Sequence, residues 1–210
     1  MNMVDHLINV CRVLSKKGMR YAVVGGIAAI LLGVQRTTLD IDILLEVEDA
    51  NALMEVVDEL TSAGYTIDKN DVMVAFEERS HFTVLLEGGR FIDFKIASSD
   101  IDISTIRRRR FINIRGEEIA ISPLEELIAT KLRILGSQKD VEDALHLMYL
   151  HIDKIDWEYL RNLLNVDVFE YINDLIARIE QEFKEDAYIL RKMRGLKKLK
   201  GKIEECLGKS

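Results

Sequence analysis

Two aspartates two positions apart are the residues of this chain best suited to carry chemistry. Asp40 and Asp42 lie in the apolar run 39–45, whose Leu39, Ile41 and Ile43 would pack on the opposite side of a strand. Two carboxylates on one side of a strand repel each other unless a cation lies between them. Mg²⁺ prefers oxygen ligands and usually also binds substrate phosphates. The pair therefore predicts phosphoryl chemistry on a nucleotide; acids on a solvent-facing edge strand are the alternative.

Asp93 is the candidate third carboxylate. It lies on the polar side of the alternating segment 90–96. Three carboxylates that hold two divalent ions would orient an in-line attack on a phosphate. Asp93 would act as the general base or bind the second metal. The alternative is a salt bridge from Asp93 to Lys95 or Arg90.

A glycine pair precedes the aspartates. Gly25 and Gly26 separate two apolar runs, and thirteen residues lie between Gly26 and Asp40. Glycines between a strand and a helix let backbone N–H groups approach a phosphate, although a tight turn without a ligand is the simpler interpretation of such a pair alone. Arg36 precedes the aspartate strand together with Thr38, and it could bind a phosphate or a nearby carboxylate.

Hydrophobic periodicity predicts an α/β half followed by a helical half. The predicted strands are 21–24, 39–47, 72–76, 81–86, 90–97, 111–114 and 118–121. The predicted helices are 4–17, 26–33, 49–63, 123–135, 139–151, 156–164, 168–183 and 185–207. We expect two domains, 1–121 and 122–210, with the boundary at the Ser122-Pro123 helix start.

Composition and charge exclude several classes of protein. The net charge of −7 argues against a general nucleic-acid coat. Arg107–Arg110 could guide a nucleic-acid or triphosphate ligand, but charge runs are usually solvated faces. The basic tail 191–202 could contact RNA, or it could be a basic helix that covers the acidic first domain. Cys11 and Cys206 have no metal or redox spacing, and the four histidines have no metal-ligand spacing. With no signal-peptide pattern and no bilayer-length apolar run, we expect a cytoplasmic protein without a membrane partner.

The combined pattern resembles the polymerase-β-type nucleotidyltransferase superfamily. The resemblance rests on Val24-Gly25-Gly26, on Asp40-Ile41-Asp42 and on Asp93. Three segments, 33–42, 122–132 and 138–143, are similar to a bacterial and archaeal subgroup that includes the AbiEii-type toxins. The resemblance covers roughly residues 20 to 150 and is more specific for the superfamily than for the substrate.

The resemblance implies a fold and a set of roles. The fold would be a mixed β-sheet flanked by helices, followed by a C-terminal helical domain. Asp40, Asp42 and Asp93 would be catalytic and bind Mg²⁺. The nucleotide-binding residues would be Gly25, Gly26, Arg36, Thr38 and Lys131. Asp140 or Asp143 would match a late acidic motif, and Gly26 stands where many of these transferases have serine.

The predicted reaction is transfer of a nucleoside monophosphate from an NTP to an acceptor hydroxyl. The subgroup favours a toxin-like enzyme that acts on RNA or on a protein. One alternative is an antibiotic nucleotidyltransferase of the aminoglycoside or lincosamide type, whose acceptor is a small polyol. Another is a catalytically silent binding module, although a silent copy has no need of all three aspartates.

Overall fold

The computed structural model describes residues 1–165, 168–182 and 187–207 of the chain. These residues form two compact units, residues 1–123 and residues from 124 onward. No helix in the described ranges is both long and apolar enough to cross a membrane.

The first unit is built around a six-stranded mixed sheet. Its strands are β1 (Arg20–Val23), β2 (Asp40–Glu46), β3 (His81–Leu86), β4 (Arg90–Ile96), β5 (Arg110–Ile114) and β6 (Glu117–Ile121). Its helices are α1 (Met3–Lys16), α2 (Gly25–Leu31), α3 (Ala50–Ser62), α4 (Lys69–Glu78) and α5 (Asp100–Arg107). The strand order is β3-β4-β2-β1-β6-β5. β2 pairs parallel to β4 and β1 pairs parallel to β6, while the other neighbours are antiparallel. The predicted fold class is confirmed.

The two faces of the sheet are covered differently. On one face, α1, α3 and α4 bury the main core against alternate strand residues such as Ile41, Ile43 and Phe94. On the other face, Ile106 of α5 covers a small cluster that includes Leu44. This second face carries the aspartates, because side chains alternate along each strand.

One predicted strand is wrong. Residues 72–76 lie in α4, whose first turn is capped by the Asp68 side chain, which accepts from the Asn70 N–H. Val72 and Ala75, three positions apart, turn one side of this helix toward the core. The β-branched composition of the segment favoured a strand, but the cap and the helical spacing prevail.

Two further features differ from the sequence interpretation. Helix α5 is absent from the predicted elements, although Ser99 and Asp102 form a capping box at its start. Leu39 was expected beneath the aspartates, but it lies before β2 and is 61% exposed.

Every regular element among the described residues of the second unit is a helix, as predicted. It contains α6 (Leu124–Thr130), a π-helical segment (Lys131–Leu135), α7 (Gln138–Leu150), α8 (Trp157–Leu164), α9 (Val168–Glu182) and α10 (Ala187–Leu207). Helix α6 begins at Leu124, and the Ser122 hydroxyl donates to the Pro123 carbonyl at 3.1 Å. The predicted helix end at residue 183 and helix start at 185 lie outside the described residues.

Candidate active site

The three aspartates lie on one face of two adjacent strands. Asp42 of β2 stands directly opposite Asp93 of β4 in the parallel pair. Asp40 lies two positions before Asp42 and therefore on the same side of β2. All three side chains are partly exposed rather than buried. The sheet register thus brings together carboxylates that are more than fifty residues apart in the chain.

Thr83 on β3 extends this row by one strand. It is the cross-strand partner of Asp93, and its Oγ1 donates to Asp93 Oδ1 at 2.7 Å. The two salt-bridge partners considered for Asp93 bind elsewhere: Arg90 donates to the Glu87 carbonyl and Lys95 contacts Asp102. The sequence did not indicate Thr83, because only the strand register places it beside Asp93.

The glycine pair forms the turn from β1 into α2. The Val24 N–H donates to the Asp42 carbonyl at 2.9 Å, which ties the turn to the aspartate strand. The Gly26 N–H points at Asp42 Oδ2 at 3.4 Å. Gly25 has φ of +60°, and a Cβ added there would lie 2.7 Å from Asp42 Cγ. Glycine is required at position 25 both by the backbone conformation and by this close approach.

Arg36 and Thr38 lie on the other side of the same turn. A Cβ added to Gly26 would clash with the Arg36 guanidinium and lie 3.1 Å from Thr38 Oγ1. The Asp40 N–H donates to Thr38 Oγ1 at 3.4 Å, so Thr38 also braces the start of β2. The space that a serine side chain would need at position 26 is therefore occupied by Arg36.

The donor chemistry of the aspartate face suits Mg²⁺. Asp40, Asp42 and Asp93 offer only carboxylate oxygens, which this ion prefers. The described part of the chain contains no group of three or more His, Cys, Asp or Glu side chains that could hold a metal ion without other ligands. Protein-bound Mg²⁺ usually takes one or two carboxylates and completes its coordination with water and substrate phosphates. An open pair of strands with three carboxylates fits that mode of binding.

A lysine-aspartate pair borders the site. Lys95 follows Asp93 by two positions, and its Nζ lies 2.9 Å from both carboxylate oxygens of Asp102. Asp102 also accepts from the N–H groups of Ser98 and Ser99. Burial opposes ionisation of Asp102, but the hydrogen bonds from Lys95 and Ser99 outweigh it and lower the pKa of this carboxyl. The pair fixes the start of α5 next to the aspartate face.

Lys131 lies in the second unit, at the start of the π-helical segment. Its side chain is buried, and its Nζ lies 3.1 Å from Asp140 Oδ1 and 2.7 Å from Asp143 Oδ2. Burial raises the pKa of Asp140, but the hydrogen bonds from Ser137 and Lys131 have the larger, opposite effect. The pKa of this carboxyl is therefore lowered from its usual value. Both aspartates left open by the sequence thus contact the same lysine, and the nucleotide-binding role of Lys131 stays a prediction.

The arginine run 107–110 and His81, all in the first unit, do not lie in the row of Asp42 and Asp93. Arg109 stacks over the exposed Phe111 ring, 5.4 Å from its centroid, at the β5 edge of the sheet. His81 lies on β3 opposite Lys95, one row away from Asp93. Arg107 and Arg110 are exposed at the surface of the first unit.

Comparisons with known proteins identify a matching family and similar folds. A family model described as aminoglycoside-2''-adenylyltransferase matches residues 6–121. No curated protein matches the chain in sequence. A candidate nucleotidyltransferase from H. pylori shares the fold at 18% identity, with 98% of this chain and 95% of that chain covered and a TM-score of 0.55.

Two further similar structures contain an antibiotic or an adenylylated antibiotic. The lincosamide antibiotic adenylyltransferase LnuA with lincomycin bound is 18% identical, with coverage of 70% of this chain and 96% of that chain and a TM-score of 0.49. ANT(2'')-Ia in complex with adenylyl-2''-tobramycin is 17% identical, with coverage of 77% and 93% and a TM-score of 0.47.

The family model is more specific than the superfamily resemblance that the motifs indicated. It spans the glycine turn and all three aspartates, whereas the AbiEii-like subgroup stays a prediction. Because this match covers more than half of the chain, the protein belongs to the aminoglycoside-2''-adenylyltransferase family, whose members are nucleotidyltransferase enzymes.

Proposed function

We propose that this protein transfers an adenylyl group from ATP to a hydroxyl of an aminoglycoside-type acceptor, a small polyol that carries several ammonium groups. The observation that carries the proposal is that the family match spans Gly25, Gly26, Asp40, Asp42 and Asp93 together. In this reaction the acceptor oxygen forms a bond to the α-phosphorus of ATP, and the bond from that phosphorus to pyrophosphate breaks.

The aspartate face would bind Mg²⁺ through Asp40 and Asp42, with Asp93 opposite. When bound, the ion neutralises charge on the phosphates and lowers the pKa of a coordinated hydroxyl. Asp93 receives the acceptor proton on Oδ2, the oxygen that the Thr83 hydroxyl does not contact. Thr83 fixes the orientation of that carboxylate, so that the base is positioned before substrate binds.

We propose that the triphosphate binds at the glycine turn. The Gly26 N–H points into the face beside Asp42, and no side chain on either glycine obstructs a phosphate. The Arg36 guanidinium lies beside Gly26, and its forked donors match phosphate oxygens. Thr38 Oγ1 adjoins the same position.

A cationic acceptor matches the charge of the protein better than RNA does. The chain carries a net charge of −7, and its candidate site is a face of three carboxylates. Such a field attracts a polyamine and repels RNA, whose many phosphates, unlike those of ATP, are not neutralised by the Mg²⁺ of the site. The toxin-like hypothesis with an RNA or protein acceptor is therefore kept as an alternative outcome of the experiment, as is the silent binding module.

The experiment is a transfer assay with several acceptors in parallel. The protein is incubated with α-labelled ATP, Mg²⁺ and either tobramycin, lincomycin, total RNA or cell protein. We expect label on tobramycin with the wild type and none with the Asp40→Asn/Asp42→Asn variant. Label on RNA or on protein instead would overturn the proposed acceptor. An absence of transfer together with an absence of Mg²⁺-dependent ATP binding would support the silent module.

A further inference from the structure

An exposed apolar surface adjoins the aspartate face. Phe91 on β4 is 39% exposed and Leu85 on β3 is 64% exposed. The two residues are direct cross-strand partners, and Asp40 is the partner of Phe91 on the other side. Asp40, Phe91 and Leu85 therefore form one row across the three strands. Asp42, Asp93 and Thr83 form the neighbouring row, two residues away along each strand.

Both rows lie on the same side of the sheet. Side chains alternate along β4, with Ile92 and Phe94 buried in the core and Phe91 and Asp93 on the opposite face. The Thr83–Asp93 hydrogen bond shows that β3 and β4 share this face. The surface formed by Phe91 and Leu85 is thus continuous with the carboxylates and is not part of the core.

We propose that Phe91 and Leu85 form the platform on which a ring of the acceptor rests during transfer. The proposal depends on the proposed function, because the occupant is the aminoglycoside-type acceptor. A sugar or aminocyclitol ring presents C–H groups on its faces and ammonium groups at its edge. The aromatic face of Phe91 attracts both the C–H groups and the cations.

Charge complementarity selects this occupant over a nucleobase. The platform is flanked by Asp40 in its own row and by Asp93 in the next. An ammonium group beside the Phe91 ring would gain a cation–π contact together with the attraction of the nearby carboxylate face. A neutral adenine ring would gain only the stacking contact.

The position of the base also places the acceptor on this side. Asp93, the proposed proton acceptor, lies two positions along β4 from Phe91 and opposite Thr83. The glycine turn, which we assign to the triphosphate, adjoins β2 instead. A hydroxyl within reach of Asp93 would therefore belong to a molecule that lies over β4 and β3.

The test measures binding of each substrate by the intact chain. Tobramycin affinity is determined by calorimetry, and KM for ATP and kcat are determined in the transfer assay. Phe91→Ala should weaken tobramycin binding about tenfold, the size of a partly desolvated cation–π contact. KM for ATP should stay within about twofold, because we assign the triphosphate to the glycine turn beside β2 and not to this surface. Phe91→Tyr should bind tobramycin as the wild type does.

Phe111 supplies a matched control. It is an exposed phenylalanine, 57% exposed, on the opposite edge strand of the same sheet. Phe111→Ala should leave both affinities unchanged, and circular dichroism should show that both alanine variants are folded.

The other outcomes separate this inference from the proposed function. Normal transfer with unchanged tobramycin affinity in Phe91→Ala would overturn the platform and leave the proposed function intact. A rise in KM for ATP alone would assign the surface to the nucleotide and overturn the inference. If sedimentation showed that the wild type is a dimer and Phe91→Ala a monomer, the surface would belong to a second copy and the inference would be overturned. If the wild type neither bound nor adenylylated tobramycin, both proposals would be overturned.

Discussion

At the scale of single residues, the Arg36 guanidinium occupies the space beside Gly26 that a side chain at that position would need. A serine at position 26 would displace the Arg36 guanidinium, because an added Cβ would clash with it. We expect Gly26→Ser to raise KM for ATP about tenfold, the loss of a charge-assisted contact to phosphate, with little change in folding. Steady-state kinetics and thermal unfolding measure both effects. An unchanged KM would show that Arg36 does not bind the triphosphate.

Gly25 is the stricter of the two glycines and serves as the comparison. Its φ of +60° and the nearby Asp42 carboxyl leave no strain-free place for a side chain. Gly25→Ala should therefore lose activity and also about 1–3 kcal/mol of unfolding free energy. If it behaved like Gly26→Ser, the close approach to Asp42 would not be a constraint.

Thr83 should act through Asp93 and not by itself. Thr83→Val removes the 2.7 Å hydrogen bond, and we expect kcat to fall about tenfold while KM for both substrates stays unchanged. Thr83→Ser retains a hydroxyl and should restore most of the rate. Equal rates for the valine and serine variants would contradict a positioning role.

At the scale of elements, the capping box of α5 determines a pH-dependent part of the stability. The folded pKa of Asp102 is lowered, so its contribution is present above its unfolded pKa and is lost as pH falls through the folded value. Asp102→Asn should cost about 1–3 kcal/mol at neutral pH, because it removes the ion pair with Lys95 and the charged acceptor of the Ser98 and Ser99 N–H groups, while the Ser99 cap itself is retained. The difference from the wild type should shrink below about pH 4.

Asp100 provides the control for that experiment. It lies in the same first turn of α5 but is exposed and does not cap the helix. Chemical denaturation of Asp100→Asn between acidic and neutral pH should show only a small change in stability. A gap between wild type and Asp102→Asn that stayed constant with pH would contradict the assigned role of the carboxylate.

The elements also show which parts of the fold a sequence can predict. The Asp40–Asp42 pair was predictable, because the two-residue alternation of a strand is a local property. Helix α4 was not recognised, because the β-branched residues around Val72 outweighed the Asp68 cap in the interpretation. Helix α5 was missed although Ser99 and Asp102 match the capping-box spacing.

Strand register explains why only part of the site could be predicted. The approach of Asp93 to Asp42, the hydrogen bond from Thr83 and the row that contains Phe91 all follow from how β2, β4 and β3 align. Register is set by packing of the buried face over the whole sheet, so no local pattern indicates it. Asp93 was identified as a candidate from its polar position on β4 and from the family resemblance, whereas its pairing with Asp42 and the contributions of Thr83 and Phe91 were not.

At the scale of the whole molecule, the net charge of −7 should govern how the acceptor is captured. An acidic protein attracts a polycation over distances that salt screens. KM for tobramycin should therefore rise when NaCl is increased, whereas KM for lincomycin, which carries fewer charges, should change less. A tobramycin KM that is independent of salt would argue against electrostatic capture.

We propose that the carboxylate face catalyses transfer of a nucleotide to an aminoglycoside-type hydroxyl. The most direct measurement is tobramycin-dependent release of pyrophosphate from ATP, with mass spectrometry of the adenylylated product, for wild type and Asp42→Asn. We predict pyrophosphate and adenylylated tobramycin in equal amounts from the wild type, and neither above background from a folded Asp42→Asn variant. Equal rates from both proteins, or pyrophosphate release that does not require tobramycin, would contradict the claim.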